Sequence, residues 1–178
     1  MSFLLILFLS FVSLQKDVVY ECQNGAIHFV SDAPMELIEA KSKHLKGVIR
    51  TQDQGFAFSV ANSSFEGFNT PLQKEHFNEN YMESKLYPKL SFRGKIIEPV
   101  DFSKDGKHKV RAKGILNVHG VEQERIIQAD LQVINNSVKV SSKFTVLLKD
   151  HNISIPKIVH QKIAEEIAVD VNATLTLK

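Results

Sequence analysis

Residues 65–96 read FEGFNTPLQKEHFNENYMESKLYPKLSFRGKI, and within this stretch the hydrophobic period changes from helical to extended. Thr70-Pro71 predicts the start of a short helix, because proline fits the first helical turn, where its missing N–H is harmless. Helical spacing then puts Leu72, His76 and Asn80 on one face, with Phe77 and Tyr81 four apart on the adjoining one. Tyr87-Pro88 ends that pattern, since the Pro88 ring disfavours helical backbone at Tyr87. From Lys89 the period becomes two and predicts a strand over 89–98. Leu90, Phe92, Gly94 and Ile96 point one way, and Ser91, Arg93 and Lys95 the other. The stretch is also the aromatic centre of the chain. Phe65, Phe68, Phe77, Tyr81, Tyr87 and Phe92 lie in it, out of 12 Phe, 3 Tyr and no Trp.

Period two continues through the C-terminal half. Val110, Ala112, Gly114, Leu116 and Val118 alternate with Arg111, Lys113, Ile115, Asn117 and His119, and Ile127, Ala129, Leu131 and Val133 with Gln128, Asp130 and Gln132. Val138, Val140, Phe144, Val146 and Leu148 form a third apolar series, and Ile167, Val169, Val171, Ala173, Leu175 and Leu177 a fourth. One apolar and one polar face, sustained this long, belongs to antiparallel sheet with a single buried side. Towards the N-terminus, Asn24-Gly25 predicts a hairpin between strands 18–23 and 26–31. The Asp32 cap and Pro34 predict a short helix over 32–40, and strands follow at 44–51 and 55–61. About eight strands with short connections form either a closed barrel or a sandwich. The small residues Ala112, Gly114, Ala129 and Ala173 on the apolar phase lean towards a barrel with room for a ligand.

Two motifs carry a resemblance. HF-x-x-x-YM…YP-x-x-x-F-x-G-x-I, from His76 to Ile96, and GILNVHGV at 114–121, a strand running into a His-Gly turn, resemble the YceI-like family of bacterial polyisoprenoid-binding proteins. The resemblance spans roughly residues 18–178. It implies an all-β, lipocalin-like antiparallel barrel with one or two short helices, holding a long apolar chain whose polar head lies near the mouth. The family's opening Asp-x-x-His-Ser pattern is absent. Residues 20–29 read YECQNGAIHF, so no ligand contact carries over there.

Composition sets the remaining bounds. A chain of 178 residues, 43% hydrophobic and 24% charged, is expected to form one domain with a real core. A net charge of +2 with dispersed Lys and Arg argues against nucleic acid as a partner. Cys22 is the lone cysteine, which excludes an internal disulfide and a thiolate-rich zinc site. Residues 3–12 are almost wholly apolar. About ten such residues fall short of the ~20 needed to cross a bilayer but fit the core of an export signal. The expectation is a signal-like segment at 1–15, a barrel domain at 16–178, no stable membrane span, and a periplasmic or secreted bacterial location. A homodimer is left open.

Chemistry by motif is sparse. The seven histidines, His28, His44, His76, His108, His119, His151 and His160, show no metal-ligand spacing. There is no G-x-S-x-G elbow and no Gly-rich phosphate loop. No enzyme activity, metal or cofactor is expected, and the alternative is a barrel enzyme using a histidine as acid or base on an isoprenoid or fatty substrate. The leading expectation is an exported protein that binds a long-chain isoprenoid or other lipid. Phe56, Phe58, Phe92, Leu116, Leu131, Phe144 and Val146 are expected to line its cavity. Phe65, Phe68, Phe77, Tyr81 and Met82 are expected to form an apolar lid, with His76 near the head group and His119 as a polar contact at the mouth.

Overall fold

The computed structural model describes residues 18–178, so the apolar segment at 1–15 lies outside the described residues. Eight antiparallel strands close into a barrel. They are β1 (Val19–Ala33), β2 (Glu36–Arg50), β3 (Gly55–Ala61), β4 (Lys89–Ile96), β5 (Gly106–Val118), β6 (Val121–Ile134), β7 (Ser137–Leu147) and β8 (Glu166–Leu177). Each pairs with its sequence neighbour, and β1 closes the ring against β8. Closure pairs every strand on both sides, although β6 and β7 pair only from Asp130↔Ser141 to Ile134↔Ser137 and part towards the rim, and alternation along each strand then decides which side chains face inward.

Up-and-down order puts every second connection at the same end. The β1–β2 turn, the long connector from 62 to 88, the β5–β6 turn and the segment from 148 to 165 share one rim. The opposite end is plugged. There the loop after β4 folds inward, the Phe102 ring lies 6.1 Å from Tyr20, and the Tyr20 hydroxyl donates to the Phe102 carbonyl at 3.4 Å. Burial of the Tyr20 phenol raises its pKa.

Two turns follow directly from sequence. His119-Gly120, at φ 53° and 73°, and Asn135-Asn136, at φ 48° and 57°, are two-residue hairpins with both central residues left-handed. That geometry matches the twist of the flanking strands.

The N-terminal expectations need correction. Asn24-Gly25 does not turn. Residues 18–23 and 26–31 belong to the single strand β1, with a register shift on either side of Gly25, which faces Leu45 of β2. An extra residue absorbed as a bulge bends the long strand without ending it. Residues 32–40 form no helix either. Pro34-Met35 is a tight turn, and β2 begins at Glu36 and takes in the strand expected at 44–51. Proline's fixed φ suits the second position of a turn as well as a first helical turn. The period of two from Glu36 to Ala40 is masked because Leu37 faces solvent while the charged Glu36 is half-buried.

Candidate functional site

The barrel interior holds a cavity in two lobes. An outer lobe of about 440 Å³ lies under the rim, and an inner lobe of about 140 Å³ lies deeper. Ile27, Leu90, Val118, Val146 and Val169 line both, so the two are continuous in their walls. The inner lobe is nearly all hydrocarbon and aromatic, and the polar residues on its wall among the described residues are Ser59, Ser91 and Ser142. Ser142 is already committed, donating to the Gln128 carbonyl at 2.6 Å. A broader depression of about 1060 Å³ crosses the outside of the sheet at the β1 bulge. Glu21, Lys107, Lys109, Asp130 and Lys139 line it, which marks it as solvated surface.

Phe56, Phe58, Phe92, Leu116, Leu131, Phe144 and Val146 all lie on the wall of the inner lobe. Their positions follow from register. Phe58 pairs with Phe92 across β3–β4, Phe92 with Leu116 across β4–β5, and the Phe56 and Phe92 rings sit 4.9 Å apart.

The connector from 62 to 88 covers the outer lobe, and its two ends are tied together. Asn62 donates its backbone N–H to the Pro88 carbonyl at 3.0 Å and its side-chain amide to the Tyr87 carbonyl at 2.7 Å. Thr70 caps the helix α1 (Pro71–His76), accepting from the Gln73 N–H. The chain then widens into a π turn, in which the Met82 N–H reaches the Phe77 carbonyl at 2.9 Å. Such a turn sets residue i+5 beside residue i, so Phe77, Tyr81 and Met82 all reach the cavity. Burial raises the pKa of Tyr81, so its phenol stays neutral. Phe77 is wedged among Phe29, Phe65 and Phe68, with ring centres 5.4, 5.7 and 5.2 Å away. Phe65, Phe68 and His76 complete the expected group on this wall.

Sequence reading missed Phe29, whose ring stacks on Phe77. The signal was present, since Ile27, Phe29 and Ser31 alternate, but the presumed hairpin at Asn24-Gly25 left that face unassigned. It missed as well the far wall, Ile153, Val159, Lys162 and Ile163, which comes from an irregular segment with no period to read.

His119 sits elsewhere than expected. It lies outside both lobes, with Nε2 2.6 Å from a Glu83 carboxylate oxygen and Nδ1 3.1 Å from the His151 carbonyl. The left-handed turn swings its ring towards the connector, and the Tyr87 ring rests edge-on against it. A Cβ at Gly120 would come within 2.4 Å of that Tyr87 ring, so the His-Gly turn is shaped to seat the connector. His119 therefore ties the connector to the rim and lies off the wall of both lobes. His76 alone among the histidines touches the cavity. No group of three or more His, Cys, Asp or Glu that could hold a metal occurs among the described residues.

Behind His119, His151 is completely buried. Its Nδ1 reaches the Val121 carbonyl at 3.2 Å, while Nε2 has no partner, which fits a neutral ring carrying its proton on Nδ1. Burial is the main cause of a pKa below the ordinary 6.5. The unfolded chain therefore takes up a proton near pH 6.5 that the folded protein refuses until lower pH. Stability owed to this site is complete above 6.5 and falls as the pH drops below it. Thermal unfolding between about pH 7.5 and about pH 5 should show that fall, and His151→Gln should flatten it. An unchanged slope in the variant would rule His151 out as the source.

The sequence matches the YceI-like domain over residues 23–175. No curated protein matches it. Among solved structures, the fold is similar to that of a polyisoprenoid-binding domain from Saccharophagus degradans implicated in plant cell wall breakdown. The TM-score is 0.75 at 15% identity, covering 92% of this chain and 100% of that one. Burkholderia cenocepacia BcnA is similar at a TM-score of 0.70 and 12% identity, covering 84% of this chain and 95% of that one. The Campylobacter jejuni YCEI protein follows at 0.56 and 12%, covering 98% and 91%. With its closed eight-stranded barrel and a family match over most of its length, the chain belongs to the YceI-like domain family.

Proposed function

We propose that this protein binds a lipid with a long apolar chain, a polyisoprenoid or similar amphiphile, inside the barrel, and that it does so after export. The observation that carries the reading is the two-lobed apolar cavity closed at one end and roofed by aromatic residues at the other. The polyisoprenoid binding named for the Saccharophagus degradans domain supports the ligand class. The energetics are adequate. Burying about twenty carbons at ~0.8 kcal/mol each gives about 15 kcal/mol gross. Association and ordering cost about 4–15 kcal/mol, which leaves a net of roughly 0–11 kcal/mol, from weak to tight binding. The chain enters tail first, because the inner lobe offers a charged head no partner, while Glu36, Gln73, His76 and Lys162 line the outer lobe.

Purifying the protein from its host and identifying co-extracted lipid by mass spectrometry tests the ligand. The intact mass of the same sample reads whether residues 1–15 have been removed. A phosphorylated or free isoprenoid, or another single-chain amphiphile, is expected. Protein free of lipid that takes up none when offered would overturn the reading.

The roof has a measurable consequence. Tyr81→Ala removes a wall of the outer lobe without touching the Phe29–Phe65–Phe68–Phe77 cluster, and should speed lipid release by about tenfold with little change in melting temperature. Phe77→Ala removes the centre of that cluster and should cost about 3 kcal/mol of stability as well. Stopped-flow release and thermal unfolding of both variants separate the two roles. Equal effects on stability would show that Tyr81 is core and not roof.

A further inference from the structure

We propose that the parting between β6 and β7 is a side window in the barrel wall, latched by side chains, through which the tail of an apolar chain slips into the inner lobe. The proposal rests on lipid binding inside the barrel and names its route. β6 and β7 share a ladder only from Asp130↔Ser141 to Ile134↔Ser137, in the plugged half. Towards the rim each continues as a strand, β6 paired with β5 as far as Val121↔Val118 and β7 with β8 as far as Leu147↔Glu166. The two no longer pair with each other there. The groups that bridge them record how they diverge. Next to the ladder the short Ser142 side chain reaches across, its hydroxyl donating to the Gln128 carbonyl at 2.6 Å. Further on the span takes a long side chain, and Arg125 Nη2 donates to the Thr145 carbonyl at 3.0 Å. At the rim, β6 meets the turn beyond β7, where Gln123 Nε2 donates to the Asp150 carbonyl at 2.8 Å. The window therefore has the ladder as its sill, residues 148–151 as its lintel and two side-chain bonds across it.

Directly behind the window lies the inner lobe. Ile127 and Ala129 on the β6 side, and Ser142, Phe144 and Val146 on the β7 side, all line it. A second parting shows how the barrel closes a gap for good. β2 and β3 pair only from Lys46↔Ser59 to Arg50↔Gly55, and the connector fills the space above, where Lys41 and Glu66 exchange backbone hydrogen bonds of 2.8 Å in both directions. Among the described residues no segment is laid into the β6–β7 parting in that way. A side-chain latch lets go by rotation about its own χ angles. Both latch bonds lie open to solvent, so water takes over the freed groups. The route under the roof is more demanding, because the Phe29, Phe65, Phe68 and Phe77 rings would have to part and expose hydrocarbon. The latch forms and breaks with or without lipid inside, so it sets the rate of passage and not the occupancy at equilibrium.

The test ties the window shut and reads passage. Ile126 and Thr145 are exposed on the outer face beside the Arg125 bridge, and neither lines a lobe. Ile126→Cys and Thr145→Cys are combined and joined by a short bis-maleimide with a cleavable disulfide, while the buried Cys22 stays out of reach of the reagent. Stopped-flow uptake and release of cis-parinaric acid is followed by its fluorescence. The linked protein should take up and release the probe at least about tenfold more slowly than the wild type, and cleaving the linker should restore both rates. Arg125→Ala, which removes one latch bond, should speed entry and release alike by about fivefold and leave the dissociation constant unchanged. A linked protein that fills and empties at the wild-type rate overturns the window and leaves lipid binding standing, since the probe then passes beneath the roof. Weaker equilibrium binding by Arg125→Ala without faster entry also overturns it, by making Arg125 a structural tie. A wild-type protein that takes up no probe at saturation brings down the binding reading and the window together.

Discussion

Phe144→Asp should reduce lipid uptake by at least about a hundredfold while the neighbouring Thr145→Asp leaves it unchanged. The two positions are adjacent on β7 and differ only in the face they present. Phe144 pairs with Val169 of β8 and lines the inner lobe, and Thr145 is exposed on the outside of the barrel. A carboxylate at 144 finds no cation among the lobe-lining residues, and the Ser142 hydroxyl on the same phase of β7 already donates to the Gln128 carbonyl. Either it stays charged and draws water into the lobe, or it is protonated at a cost that the bound state must bear. Both routes replace hydrocarbon contact with a polar site at the point where the tail of an apolar ligand has to lie. The smaller side chain leaves room for water, so the barrel should fold with a lowered melting temperature instead of collapsing. Phe144→Leu keeps the wall apolar and should retain most of the binding. Uptake of a fluorescent lipid, with circular dichroism on the same samples, checks all three variants. If the folded Phe144→Asp protein took up lipid as the wild type does, the ligand would not reach the inner lobe.

Faces were easier to read from this sequence than ends. A period of two makes every inward residue of β4 to β8 legible, because a one-residue error would turn a whole apolar series to solvent. That is why Phe92, Leu116, Leu131 and Phe144 could be assigned to one surface before any coordinates. The same reasoning failed where a local signal competes with a tertiary one. Asn24-Gly25 is as good a hairpin as His119-Gly120 by residue type, yet it sits in the middle of β1, because β2 continues beyond it and pairs on both sides. Pro34 misled in the same way. Its preferred φ is common to a helix start and a turn, and only the partner strand decides between them. The 148–165 segment carries no period at all, so its share of the cavity wall could not be inferred. His119 illustrates a different limit. Its motif was legible, but a motif marks a position that matters without saying whether the position meets ligand or holds the structure that does. Here the ring serves Glu83 and the connector.

The glycine in the Phe-x-Gly-x-Ile strand resolves in the same structural direction, and replacing it should have the largest effect on folding of any single change considered. Gly94 of β4 lies directly opposite Gly114 of β5. A Cβ on Gly94 would fall 2.1 Å from the Lys113 carbonyl oxygen and 2.5 Å from the Gly114 Cα, and one on Gly114 would fall 2.2 Å from the Arg93 carbonyl oxygen. All of these are backbone atoms, so no rotation of a side chain relieves the clash, and the two strands would have to separate. Separation breaks the β4–β5 ladder beside Phe92 and Leu116, the pair that lines the inner lobe. Gly94→Val should therefore cost about 4 kcal/mol or more, lowering the melting temperature by roughly 8–16 °C. Lys95→Val, one residue along and on the outer face, should stay within about 0.5 kcal/mol. Even Gly94→Ala meets the same atoms and should cost nearly as much as valine, which distinguishes a backbone clash from the loss of space for a large side chain. Thermal unfolding of the three variants decides it. A Gly94→Ala protein that melts with the wild type would mean that β4 and β5 can part without loss. The glycine pair would then be a preference of the sequence and not a requirement of the barrel.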